Sequence, residues 1–315
     1  MSFELRMNDF GSTISILLIV VAFIMGCDSG ADSGGRADSG SPHSGGDTGG
    51  GSDADADIDS DTDGDVDGDS DSDAGADADS GTGLSNFSFF VTSLKAVRDL
   101  SGSQDGFGGD LRYGETGSGA GLRGADKICT EIAERSMPGS GQKQWRAFLS
   151  ATADENGVQV NAIDRIGDGP WYDRLGRLFA NNKTELLNAR PTNADPTIKN
   201  DFPNEDGVPN HKPDSTQPAV DNHDFLSGSN AQGQLFGPTA TCLDWTASTG
   251  DTSEGRPRVG HSWPRAGMNN WISVLTEAGC KAGVSIVESG GPKPNLHTVG
   301  SGGGYGGFYC FALTP

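Results

Sequence analysis

Hydrophobic residues are distributed along this chain in three regimes. Ile16 to Met25 (ILLIVVAFIM) is an unbroken apolar run. As a helix it reaches about 15 Å, half of a ~30 Å hydrocarbon core, which suits the hydrophobic region of a signal peptide better than a membrane span. From Asp28 to about Leu84 apolar side chains almost disappear. Around Asn86 they return with aromatic and β-branched residues in periodic spacing. Phe87 to Val97 predicts a strand opening a domain. The Ser101–Gly121 stretch is glycine-rich and predicts a loop. Between Gly124 and Arg135, Ala125, Ile128, Cys129, Ile132 and Ala133 recur at helical spacing and predict a helix that buries one stripe. Trp145 to Ser150 predicts a strand with Trp145, Ala147 and Leu149 on one face. A short helix is expected over Lys183 to Asn188, then a long loop region over 190–235, rich in Pro, Asn and Asp. Thr241 to Thr246, Ser285 to Glu288 and Phe308 to Ala312 predict β structure.

Charge separates the second regime from the third. The chain carries a net −22; residues 1–84 hold 19 acidic against 2 basic side chains, leaving only −5 for 85–315. With so little to bury and so much like charge, residues 27–84 are expected to be a disordered acidic tether. Asp59-Ser-Asp61-Thr-Asp63-Gly64 matches the opening of an oxygen-rich calcium loop, but Ser70 stands where the bidentate glutamate would be needed. The preferred reading is a solvated polyanion that associates loosely with divalent cations. A domain of net −5 also speaks against nucleic acid or another polyanion as partner.

The five cysteines divide one and four. Ile24-Met25-Gly26-Cys27 follows the apolar run directly and resembles the bacterial lipobox, which makes residues 1–26 a lipoprotein signal peptide and Cys27 the lipidation site. The expected location is therefore the bacterial cell envelope, with the chain held to a membrane by its lipid. Cys129, Cys242, Cys280 and Cys310, an even number in an exported protein, predict two disulfides. Spacing alone leaves three connectivities open, and without a CxxC pair a zinc site is a poor alternative.

Gly121-Leu-Arg-Gly-Ala-Asp-Lys-Ile-Cys129 followed by Trp145-Arg-Ala-Phe-Leu-Ser150 resembles endostatin, the C-terminal domain of collagen XVIII. So do Ala162-Ile-Asp-Arg165, Phe225-Leu-Ser-Gly-Ser229, Cys242-Leu-Asp-Trp245 and Tyr309-Cys310-Phe311. The domain also resembles that of a family of bacterial surface lipoproteins of unknown function. The resemblance implies an α+β, C-type-lectin-like (endostatin-like) domain over 85–315, with both chain ends in one sheet and a long loop region opposite. It further implies nested disulfides, Cys129–Cys310 and Cys242–Cys280. The ligand motifs of the fold are missing: Gln217-Pro-Ala and Lys293-Pro-Asn295 do not reproduce the calcium-and-sugar runs of lectins. No histidine cluster near Leu84 to Phe90 reproduces endostatin's zinc site. Of endostatin's heparin-binding arginines, only Arg123 and Arg146 fall in matching motifs.

Two candidate sites remain. In the long loop, His211, Asp214, Asp221, His223 and Asp224 gather imidazoles and carboxylates of a kind that hold divalent metals. Solvated loop residues forming Asx turns are the favoured explanation, so no metal is expected, with His211, His223 and Asp224 as the weak candidates. Trp263 and Trp271, flanked by His261, Arg265, Asn269 and Asn270, are the choice for a ligand-binding face, represented by Trp263, Trp271, Arg265 and Asn270. No cofactor is implied, no P-loop, dinucleotide or nucleophile motif occurs, and an enzyme is not expected. The leading functional reading is a non-enzymatic binding or adhesion module for an extracellular protein or glycan. A structural envelope protein is the alternative, and a hydrolase is third.

Overall fold

The computed structural model describes residues 85–211, 222–247, 249–263, 270–286, 293 and 295–314. The signal peptide, Cys27, the acidic tether, Asp214, Asp221, Arg265 and Asn269 all lie outside them. Among the described residues no helix is long and apolar enough to cross a membrane.

The domain is α+β. Its strands are β1 (Phe89–Val91), β2 (Trp145–Ala147), β3 (Trp171–Tyr172), β4 (Leu178–Ala180), β5 (Asp224–Leu226), β6 (Arg258–His261), β7 (Leu275–Thr276) and β8 (Gly304–Ala312). The helices are α1 (Leu94–Ser101), α2 (Ala120–Ser136), α3 (Ala162–Arg165) and α4 (Lys183–Leu186). One sheet runs β1-β8-β5-β6-β7 with β2 also paired to β8, and β3 and β4 form a separate two-stranded sheet. The first and last strands of the domain are antiparallel neighbours, Phe90 opposite Cys310. On the other side of β8, Ala147 also faces Cys310, so β8 is the central strand, and all nine of its residues are buried.

Burial on both sheet faces follows from strict alternation. On β8, Phe308, Cys310 and Ala312 face one core; Tyr305, Tyr309 and Phe311 face the other. The first core is closed by α2 through Ala125, Ile128, Cys129, Ile132 and Ala133, the stripe expected from the helical spacing, with Leu122 beside them. Trp145, Ala147 and Leu149 join it, while Phe148 turns to the opposite side, as the period of two requires. The second core lies under irregular chain. Of its buried residues the short helices contribute only Val97, Ala162, Ile163 and Leu186, and aromatic rings fill the space: Phe89 stacks on Phe179 at 3.4 Å, and Phe202, Trp271, Tyr309 and Phe311 surround them.

Four expectations change. The strand over Phe87 to Val97 stops at Val91, because Ser93 caps a helix: its Oγ accepts from the Ala96 amide, and Leu94 to Val97 become the first turn of α1. The long loop at 190–235 contains β5, a three-residue strand inside the main sheet. Cys242 to Trp245 is not a strand but one left-handed helical turn, with φ of 49°, 52°, 54° and 66°. Ser285 and Ile286 lie in no strand, and Val287 and Glu288 are outside the described residues.

The left-handed turn carries no glycine, so each residue adds about 1 kcal/mol or more of conformational cost. Three contacts offset it. The Asp244 carboxylate accepts from the Thr152 amide at 2.6 Å, the Ala153 amide at 3.2 Å and the Thr241 hydroxyl at 3.0 Å. The buried Trp245 indole donates to the Ser150 carbonyl at 2.9 Å, and Cys242 is joined to Cys280. The second disulfide joins Cys129 on α2 to Cys310 on β8, so the two bonds are nested across separations of 181 and 38 residues.

Gly260 on β6 shows how tightly the loops cover the sheet. A Cβ there would lie inside the backbone of Trp271, against its carbonyl group. Gly260→Ala is expected to cost about 2–3 kcal/mol, because backbone on both sides of the clash is fixed by pairing. A lowered urea midpoint with an unchanged slope is the signature; an unchanged midpoint contradicts the packing described.

Candidate metal centre

The buried polar residues concentrate where β5 meets β6 and the start of β8. On β5, Asp224 is the register partner of His261 on β6. His223 precedes it, and two consecutive residues of a strand ordinarily point to opposite faces. Here the pairing of β5 with β8 shifts register after Asp224, and the His223 and Asp224 amides both donate to the Gly303 carbonyl, at 2.9 and 3.2 Å. Two residues opposite one is the geometry of a bulge, and it lets neighbouring side chains converge. His261 Nε2 lies 2.9 Å and His223 Nε2 3.6 Å from the same Asp224 Oδ1. The two imidazoles meet edge to face with centroids 4.5 Å apart. All three side chains are fully buried.

Glycines make the room. A Cβ on Gly303, whose φ is +140°, would lie 2.6 Å from His223 Cε1; one on Gly302 would meet Asp224 Oδ2 and lie 3.0 Å from Glu277 Oε1. Glu277 thus stands beside Asp224, fully buried, with its other oxygen accepting from the Ser301 hydroxyl. Burial first, and repulsion from Asp224 second, hold its carboxyl well above the ordinary carboxylate range. Apart from that carboxyl–carboxyl contact, neither oxygen of Asp224 takes a hydrogen bond among the described residues. Three ligand atoms, one each from His223, Asp224 and His261, lie within 4.8 Å of one another, a grouping able to hold a metal ion.

Of the metal candidates read from the loop, His223 and Asp224 therefore come together, and His211 does not join them. Its ring instead lies flat on Trp263, at 3.9 Å and 2°. His211 is buried and Trp263 half-buried, and the Trp263 centroid is 6.5 Å from that of His223. The sequence reading noticed His261 only as a neighbour of Trp263 and missed Glu277 altogether. A histidine on a short strand and a lone glutamate before a cysteine carry no local mark of sharing a site.

The proposed ligand face is divided by the same packing. Trp271 is a core residue, fully buried: its indole donates to the Leu186 carbonyl at 3.0 Å, and Tyr309 donates to its own carbonyl at 2.7 Å. It cannot reach a ligand, because β8 and the Phe148, Phe179 and Phe202 rings surround it. Asn270 spends its Oδ1 on the Ile272 and Ser273 amides, at 2.8 and 2.9 Å, which organises the turn before Trp271. Trp263 is left as the half-exposed member.

The arginines matched to endostatin line a different feature, a cleft of about 500 Å³ bordered by Arg123, Asp126, Arg146, Asp154, Glu155 and Arg165. Its cations already face anions. Arg165 Nη2 makes two 2.8 Å bonds to Asp126, Arg146 Nε approaches the same carboxylate at 3.6 Å, and Arg123 reaches Glu115 at 3.4 Å. No protein-family model matches this chain, and no curated protein does.

Proposed function

We propose that this chain is a lipid-anchored cell-envelope protein whose domain, residues 85–315, is a non-enzymatic binding or adhesion module for a protein or glycan. The anchor is Cys27, and the acidic tether holds the module away from the membrane. The proposed fold is the C-type-lectin-like, endostatin-like one. Both disulfides pair as that resemblance implies, and the first and last strands share a sheet, which supports it.

The observation that carries the binding reading is the Trp263 platform. A half-exposed indole backed flat by a buried imidazole loses little conformational entropy when a second surface covers it. That is what stacking on a sugar face, or docking a partner's apolar side chain, requires. A non-enzymatic reading is supported by the chemistry around it: the four domain cysteines are tied in disulfides, and the His-Asp-His cluster is fully buried.

The test is glycan and matrix-protein array binding by the full chain in detergent micelles. Saturable binding is expected, weakened at least about tenfold by Trp263→Ala, with the thermal midpoint nearly unchanged. Failure to bind across broad arrays, or binding indifferent to Trp263, sinks the module and favours a structural envelope role. Mass spectrometry of the native protein tests the anchor through diacylglycerol on Cys27.

A further inference from the structure

We propose that His223, Asp224 and His261 bind a divalent transition-metal ion of the zinc class, in a buried site distinct from any ligand face. Chain geometry makes the first argument. Metal–ligand bonds of 2.0–2.1 Å in a tetrahedral site place neighbouring ligand atoms about 3.3 Å apart. The two imidazole-to-carboxylate distances, 2.9 and 3.6 Å, straddle that value. They share one oxygen, Asp224 Oδ1, so a single ion beside it is within reach of both rings.

The second argument is the state of the carboxylate. Asp224 is fully buried, and apart from its contact with the Glu277 carboxyl neither of its oxygens receives a hydrogen bond among the described residues. Two carboxyls buried side by side are costly, and a bound cation offsets that cost. Donor type then selects the ion. Two imidazoles and one carboxylate suit zinc and its neighbours, whereas calcium and magnesium favour sites made entirely of oxygen.

Glu277 is the outer partner. It stands beside Asp224 across Gly302, tied to Ser301, where it fixes the carboxylate that ligates the ion. An ion here fastens β5 to β6 at the point where the bulge interrupts the ladder to β8. The three ligands are fully buried, and the ion's part is to hold the strands.

The experiment uses the full chain, produced without a polyhistidine tag in zinc-supplemented medium and desalted without chelator, with metal content read by mass spectrometry. About one equivalent of zinc is expected in the wild type and in His211→Ala, falling at least tenfold in Asp224→Asn and His261→Ala. These variants keep the acidic tether, so ions held loosely by its aspartates appear in all of them and are told apart. Should the ligand variants fail to fold, wild-type protein refolded from denaturant with cobalt(II) decides. Absorption bands of a four-coordinate cobalt centre, displaced by one equivalent of zinc, support the site. A wild type without stoichiometric metal, a ligand variant that retains it, or cobalt protein without such bands overturns the proposal.

Discussion

Replacing Cys129 and Cys310 together by alanine is expected to lower the domain's stability by up to about 5 kcal/mol, the largest effect of any change considered. The bond closes 181 residues, and constraint of the unfolded chain grows with the logarithm of that length. It also joins α2 to the strand on which the sheet is built: Cys310 lies opposite Phe90 on one side and Ala147 on the other. For a domain of this size the loss corresponds to a fall in thermal midpoint of about 10–20 °C. The same replacement at Cys242 and Cys280, which closes 38 residues, is expected to cost up to about 4 kcal/mol. It should first release the left-handed turn beginning at Cys242. Calorimetry under non-reducing conditions ranks the two. Midpoints within a degree of wild type for the Cys129/Cys310 variant would show that helix and sheet hold together without the bond.

The second large effect is a dependence on pH centred on Glu205. Its carboxyl accepts from the Ser93 amide at 3.0 Å and the Ser93 hydroxyl at 2.5 Å, at the start of α1. Those bonds favour the anion, but burial outweighs them and lifts the group to about 7. The folded protein therefore holds a proton that the unfolded chain, at an ordinary 4.5, has released. Below about pH 4.5 both states are protonated and the carboxyl's contribution is at its most favourable. As pH rises to about 7 stability falls, and above that it is level. The full excursion is about 3 kcal/mol. Glu205→Gln keeps the shape without the titration. Its stability is expected to match wild type near pH 4.5 and to exceed it by most of that amount at pH 8, read from urea unfolding at each pH. Profiles that run parallel across this range rule out Glu205 as the source.

What was legible beforehand followed the strength of local pattern. In α2, five apolar positions at helical spacing announce both the helix and its buried face, because the period of the backbone and that of the sequence coincide from Ala125 to Ala133. The alternation Trp145, Ala147, Leu149 was equally plain. β5 was not, because its polar neighbours His223 and Ser227 are themselves buried, so the segment reads as solvated loop. The turn at Cys242 to Trp245 is hidden from the sequence for a different reason. Nothing in Cys-Leu-Asp-Trp favours positive φ; the conformation is imposed by Thr152, Ala153 and Ser150, which are remote in the chain. Similarly, Ser93 ended a strand early by offering its hydroxyl to Ala96, a competition that an apolar run conceals.

Trp263 and Trp271 make the division concrete. They occupy similar sequence contexts, yet one is half-exposed on His211 and the other is sealed beneath Tyr309. The chain alone determined what depends on nearest neighbours: the acidic composition of residues 27–84, the apolar run before Cys27, the stripe of α2 and an even set of cysteines in the domain. Tertiary structure decided which distant groups meet: Cys129 with Cys310, Asp224 with His261 and Glu277, and the indole that stays at the surface. The physical reason is that a local preference is settled within a few residues by backbone geometry. A meeting of distant side chains is settled by the packing of the whole sheet, in which no single contact is strong enough to announce its partner.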